Sequence, residues 1–247
     1  NLIFKLANIK QDYLSNKDIL FQSKNIFSFK INKKNKIENV KIDTVINFDE
    51  IYLNKKYKNI IFLKDGVINS KYANKELSAD IVSNFAFSDD LKFINNYKNN
   101  HLDLSFKSKN NLNMMLHGNI RNDKTLIDPK IVLKIFDLDP NILAEKDISI
   151  ETDNQFKFEI NNNRIENYLV NSTINFDKLE LNKKIQKMIY LKNIKTKLTF
   201  GDDIFKIDLK SNYSFFNKNY NNKLDNNIIN LELAKSDQKT SDIKIFF

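Results

Sequence analysis

The sequence has few or none of the residues on which several kinds of functional site depend. Its 247 residues include no cysteine, no tryptophan, three glycines and two prolines. Without cysteine the chain can form neither a disulfide framework nor a thiolate-ligated metal site. It has no glycine-rich loop of the kind that cradles a nucleotide phosphate. Its longest apolar run, residues 60–63, is far shorter than the ~20 apolar residues of a membrane-spanning helix.

Arginine is also scarce, although the net charge is +9. Arg121 and Arg164 are the two arginines, and lysine supplies the rest of the 40 basic residues. Phosphate recognition favours the planar fork of arginine over the lysine ammonium. We therefore interpret the lysines as ordinary solvated positions and predict no nucleic-acid partner. The alternative, a nucleic-acid binder, would show a steep dependence of binding on salt.

The sequence is rich in alternating apolar and polar residues. The stretch from Val40 to Phe48 is one example, and similar stretches recur as far as the last residues of the chain. Strict alternation predicts strands with one apolar and one polar face, and it favours antiparallel sheet. We predict an all-β fold, an elongated antiparallel β-meander array that forms a curved groove. One or two short helices are expected over residues 88–99 and 139–146, with Ser88 and Asp139 as their caps.

A second pattern is internal repetition. Residues 45–64 read "VINFDEIYLNKKYKNIIFLK" and residues 173–192 read "TINFDKLELNKKIQKMIYLK". Upstream, Phe27 corresponds to Phe156 with an offset one residue larger, so one residue has been lost inside a polar turn. A loss within a strand would have exchanged its two faces. Repetition at a long fixed period is typical of array architectures.

The repeat divides the chain. We expect residues 1–26 to be the end of a preceding repeat or N-terminal strands, 27–155 the first repeat unit, and 156–247 a second, partial unit. Because the chain begins with Asn1 and not with methionine, we expect it to be a piece of a longer protein.

The apolar faces of such strands are the main functional candidates. If the sheet curls into a trough with no helix to cover it, the floor needs a non-protein filler, and lipid acyl chains fit that requirement. The alternative is that the same residues close a dry core. The predicted floor comprises Ile46, Phe48, Ile51, Leu53, Ile174, Phe176, Leu179, Leu181, Leu198, Phe200, Ile207 and Leu209. The predicted headgroup-facing residues are Lys55, Lys56, Lys183 and Lys184.

Residue types that carry catalysis or bind metals occur without a matching pattern. His101, His117 and Asp103 could form a metal site, but two histidines at a loop end and on a polar face are better explained structurally. The acidic pairs at 137–139 and 202–203 are better explained as a helix cap and a turn. No serine lies in a nucleophile-elbow pattern. We predict no enzyme, no metal and no cofactor.

The segment "INFDKLELNKKIQKMIYLKNIKTKLTFGDDIFKIDL" at 174–209 carries a family resemblance in its order of strand, "YLKNIKTKLTF" strand, polar turn and strand. It resembles the AsmA-like superfamily of Gram-negative envelope proteins, which includes the AsmA, YhdP and TamB groups. The resemblance implies a repeating β-groove in the periplasm that conducts phospholipids between the inner and outer membranes, without catalytic residues. It also implies an inner-membrane anchor, which this chain lacks. The alternative is a structural or surface-adhesion β-repeat domain with a closed core.

Overall fold

The computed structural model of the chain describes most of the residues from 19 to 246. The described ranges are 19–53, 61–89, 92–93, 97–109, 113–128, 130, 147–161, 164–180, 189–215, 228–236 and 240–246. By compactness the chain divides into two units, unit 1 (Asn1–Met114) and unit 2 (Met115–Phe247).

Unit 1 is an antiparallel meander in which strands follow one another in chain order, except that the short β5 pairs with β4 beside the main path. Its strands are β1 (Phe21–Ile31), β2 (Ile37–Leu53), β3 (Ile61–Ala73), β4 (Glu76–Asp89), β5 (Lys92–Phe93) and β6 (Asn100–Lys109). Its most buried apolar side chains lie towards one end of β2, β3, β4 and β6, and they are Phe48, Phe62, Phe85, Ala86 and Leu102.

Unit 2 contains the second meander, again in chain order. Its strands are β7 (Asn113–Ile127), whose first residues precede the division, β8 (Ile148–Asn161), β9 (Arg164–Glu180), β10 (Ile189–Gly201), β11 (Ile204–Phe215), β12 (Ile228–Ser236) and β13 (Thr240–Phe246). The predicted fold class, an all-β antiparallel meander, is confirmed.

Asparagine, aspartate and lysine take the backbone conformations that glycine usually supplies. Six non-glycine residues in the described part of the chain have a positive φ, and they are Asn35, Asn39, Asp65, Asn74, Lys75 and Asn193. Asn74 and Lys75 form the two-residue turn between β3 and β4, where left-handed residues match the strand twist. Polar residues therefore supply turn conformations for which glycine is usually needed.

The helix predicted over 88–99 is wrong in extent. Ser88, its predicted cap, belongs to β4 and pairs with Phe93 of β5. β4 therefore continues as far as Asp89, and a short antiparallel pair forms where a helix was expected. The helical structure in this segment is a 3-10 turn at Tyr97–Asn99. The second predicted helix, over 139–146, lies outside the described residues.

No helix among the described residues is long and apolar enough to span a membrane.

Candidate functional site

The strand registers of unit 1 bring its alternating apolar residues onto one face. Cross-strand partners lie side by side on the same face of a sheet. The partners run in rows across the unit: Phe27, Ile42, Tyr72 and Leu77; Ser23, Ile46, Ile68, Ile81 and Leu104; Phe21, Phe48 and Gly66; and Ile51, Leu63 and Phe85. We call this surface the apolar face of unit 1.

Unit 2 has an equivalent surface, the apolar face of unit 2. Its rows are Phe156, Val170, Phe200 and Phe205; Ser172, Leu198, Ile207 and Leu233; Ile174, Thr196, Leu209 and Leu231; and Ile150, Phe176 and Ile194. The predicted floor residues Ile174, Phe176, Leu198, Phe200, Ile207 and Leu209 all lie in these rows. Their proposed contact with lipid stays a prediction.

The remaining predicted residues fall partly outside what can be described. Leu53 and Leu179 occupy backbone positions in β2 and β9, and their side chains are outside the described part. Leu181 and all four predicted headgroup-facing lysines, Lys55, Lys56, Lys183 and Lys184, lie outside the described residues.

A β-bulge interrupts the alternation in unit 1. The pairing of β2 with β3 passes from Phe48–Gly66 to Glu50–Lys64 and skips Asp49 and Asp65. The pairing of β3 with β4 shifts at the same point, and Asp65 has a positive φ. A bulge of this kind changes which residues point to a given face.

This change of phase explains how Ile51 joins the apolar face although it is three residues after Phe48. Ile51 pairs with Leu63, and Leu63 pairs with Phe85. Phe85 is four residues after Ile81 in β4, so the two side chains lie on the same face. The row of Ile81 contains Ile46. The structure therefore brings Ile46, Phe48 and Ile51 onto one face. Their contact with lipid stays a prediction.

A buried serine caps the bulge, and the same device recurs 128 residues later. The Ser83 hydroxyl lies 2.9 Å from the carbonyl oxygen of Lys64 and 2.8 Å from that of Asn84. The Ser211 hydroxyl lies 3.2 Å from the carbonyl oxygen of Lys192 and 2.9 Å from that of Asn212. Both serines are buried. The single hydroxyl hydrogen is shared between these two carbonyl oxygens, at the point where the register of the ladder shifts.

The two copies differ in what lies beside the bulge. In unit 1 the Phe48 ring covers Gly66 so closely that a Cβ there would lie 1.9 Å from Phe48 Cζ. In unit 2 the equivalents are Phe176 and Ile194, which pair in the same way. Ile194 is buried and Phe176 is half-buried. Ile194 thus carries a buried side chain at the position where Gly66 has none.

A group of polar and aromatic side chains holds the 3-10 turn against the sheet of unit 1. Lys64 Nζ lies 4.9 Å from the centre of the Tyr97 ring and 5.7 Å from that of Phe62, and 3.9 Å from Glu50 Oε2. The Asp65 carboxylate raises the pKa of the Tyr97 phenol by opposing the phenolate charge, and desolvation and a hydrogen bond to Asp65 raise it further. These contacts bind the turn to the bulge.

The face opposite the apolar face carries charge. Ion pairs join residues two apart on one strand: Arg121 with Asp123, Lys157 with Glu159, and Lys206 with Asp208. A hydrogen bond from Lys157, then one from Asn167, lowers the pKa of Glu159. Because these pairs are largely exposed, solvent screening leaves each of them with little effect on stability. On β8 and β11 of unit 2 this face is thus solvated, as the alternation predicted.

No potential metal site emerges from the described part of the chain, which contains no cluster of three or more His, Asp or Glu side chains suited to an ion. His117 is exposed on β7, and His101 is half-buried at the start of β6. Asp202 and Asp203 lie in the bend between β10 and β11, where Asp202 accepts a hydrogen bond from the Tyr168 amide.

Sequence reasoning missed the serines, and the signal was available. Extending the comparison of the two copies beyond residues 64 and 192 pairs Ser83 with Ser211 and Asp65 with Asn193 at the same offset. A comparison of this sequence with known proteins adds no relative: no family model, no curated protein and no solved structure matches it.

Proposed function

We propose that this chain binds the acyl chains of lipids along its apolar faces, as a non-enzymatic segment of an AsmA-like repeating β-groove protein. In this proposal the protein conducts phospholipids between the inner and outer membranes from the periplasm, and a segment outside this chain anchors it to the inner membrane.

The observation that carries the proposal is the continuity and exposure of the apolar rows. Phe27 is 64% exposed in unit 1 and Phe200 is 42% exposed in unit 2. Within each unit, the described strands make their extensive contacts with their neighbours in the meander. The 3-10 turn and β5 contact β4. No second layer of described residues from the same unit covers these rows. Apolar surface of this kind normally meets a ligand or a partner.

The polar groups within the rows are compatible with an apolar ligand. Thr44, Ser70 and Ser172 lie among aliphatic and aromatic neighbours on these faces. Small hydroxyl groups can hydrogen-bond to the local backbone, so they add little charge or bulk to a surface that an acyl chain would follow.

The experiment is native mass spectrometry of the purified chain, with lipid extraction of the same sample and titration with a fluorescent phospholipid. Adjacent residues of β1 provide a matched pair of variants. Phe27→Asp places a charge on the apolar face, whereas Ile26→Asp places it on the opposite face at a residue that is 56% exposed. We expect Phe27→Asp to lower phospholipid affinity roughly tenfold, in line with the cost of a charge in an apolar environment, and Ile26→Asp to leave it unchanged.

Two results would contradict the proposal. One is a stably folded chain that neither retains nor binds phospholipid, which would favour the closed-core structural repeat. The other is equal lipid affinity for the two variants, which would show that binding does not use the apolar face.

A further inference from the structure

The two copies of the repeat match strand by strand, well beyond the similar segments at residues 45–64 and 173–192. β2, β3 and β4 correspond to β9, β10 and β11 at an offset of 128, and β1 corresponds to β8 at 129. The pairs Phe27–Ile42 and Phe156–Val170 are equivalent, so the registers agree across the shortened turn. β6 and β12 then pair with β4 and β11 in turn, and β7 and β13 follow them in chain order.

The first strand of the second copy is covered on its outer edge. β8 is hydrogen-bonded to β9 on one side and to β7 on the other. The compact unit 2 begins at Met115, so β7, the last strand of the first copy, packs with the second. The second copy is therefore completed by a strand from the first.

β1, the equivalent of β8, has no described neighbour on its outer edge. All eleven of its residues are exposed. The contrast with β8 is direct: Phe27 is exposed, whereas its counterpart Phe156 is half-buried. An uncovered edge of this length presents unpaired backbone groups to any strand of suitable sequence.

One side chain indicates which strand fits. In β8, Asn154 Nδ2 donates hydrogen bonds to the Thr152 hydroxyl (3.2 Å) and to the carbonyl oxygen of Ile120 in β7 (3.0 Å). In β1, Asn25 corresponds to Asn154 and donates to the Ser23 hydroxyl (3.3 Å). The local bond is the same in both copies. Within the described part of the chain, Asn25 has no counterpart of the bond that Asn154 makes to the neighbouring strand.

We propose that the outer edge of β1 binds a β7-type strand from another copy of this repeat. In a second copy of this chain that strand is β13, the counterpart of β7, which has β12 as its described partner. The association is head to tail: β13 of one chain pairs with β1 of the next, as β7 pairs with β8 within the chain. Such a heterologous contact leaves β1 available at one end of the assembly and β13 at the other, so further chains can add to it. The inference does not depend on lipid binding.

The test uses the whole chain and a synthetic peptide of residues 113–127. We expect sedimentation velocity to show association that grows with concentration without reaching a fixed oligomer. We also expect the fluorescently labelled peptide to bind and to return the chain to monomers by capping β1. A peptide with N-methylated alternate residues should not bind, because edge pairing needs the backbone N–H groups.

The matched variants are Asn25→Ala and Asn154→Ala. We expect Asn25→Ala to weaken peptide binding roughly fivefold, the effect of one hydrogen bond. Asn154→Ala, where β7 is already in place, should leave peptide binding unchanged. The proposal is overturned if the chain stays monomeric at hundreds of micromolar, if the N-methylated peptide binds equally well, or if delipidation and not the peptide reverses association.

Discussion

In the first copy of the repeat the ring of Phe48 lies over Gly66, whereas in the second copy Ile194 stands at the position of the glycine and Phe176 is less buried. The backbone around both sites is the same, with a left-handed residue in the bulge and a buried serine that caps it. The difference shows that the bulge is fixed by backbone hydrogen bonds, while the side chains beside it can exchange volume. Packing requires that the total volume be kept and not the identity of each residue.

The largest expected effect is on the phenylalanines. Phe48 is 3% exposed, so Phe48→Ala should lower the free energy of unfolding of its unit by about 3–5 kcal/mol, the usual cost for a buried phenylalanine. Phe176→Ala should cost clearly less because Ile194 already fills the site. Urea denaturation of both variants measures the difference. Equal losses would contradict the view that Ile194 fills part of the second site.

The glycine provides the next test of the same comparison. Gly66→Ala should destabilise the protein by about 1–3 kcal/mol through overpacking against the Phe48 ring. The loss should be smaller in a Phe48→Leu background, because the shorter side chain leaves room for the new methyl group. A double-mutant cycle measures this coupling. Additive losses would mean that the two side chains do not compete for space.

The serines should behave alike in the two copies. Ser83→Ala and Ser211→Ala each remove a hydroxyl that is bonded to carbonyl oxygens of the bulge, and each should cost about 1 kcal/mol. Thermal or urea unfolding provides the measurement, with Ser28→Ala on exposed β1 as a control that should change little. A large effect in one copy alone would show that the two serines contribute differently to the free energy of unfolding, although their hydrogen bonds are alike.

The sequence was sufficient for the strands, their faces and their order, because alternation and short polar turns are local signals. The phase change between Phe48 and Ile51 was visible in "INFDEIYL", although its cause, the bulge at Asp65, lies on the neighbouring strand. The segment after β4 was misjudged because Ser88 and the acidic residues that follow suit a helix start as well as a tight turn. Pairing with Phe93 decides between them, and it depends on contacts that composition does not reveal.

The smallest expected effect concerns Asp65 and its counterpart Asn193. Asp65 raises the pKa of Tyr97 above its ordinary value of 10.0, so the folded protein holds the phenol proton more tightly than the unfolded chain. The resulting stability is present below about pH 10 and is lost as the pH rises through the pKa of the folded state. Asp65→Asn should move the pKa of Tyr97 back towards 10.0, as followed by NMR of ¹³C-labelled tyrosine. Asn193→Asp, at the equivalent bulge in unit 2, should leave the Tyr97 titration unchanged. If Tyr97 titrates identically in the wild type and in Asp65→Asn, the carboxylate does not control it, and the charge difference between the two bulges has no electrostatic consequence for the turn.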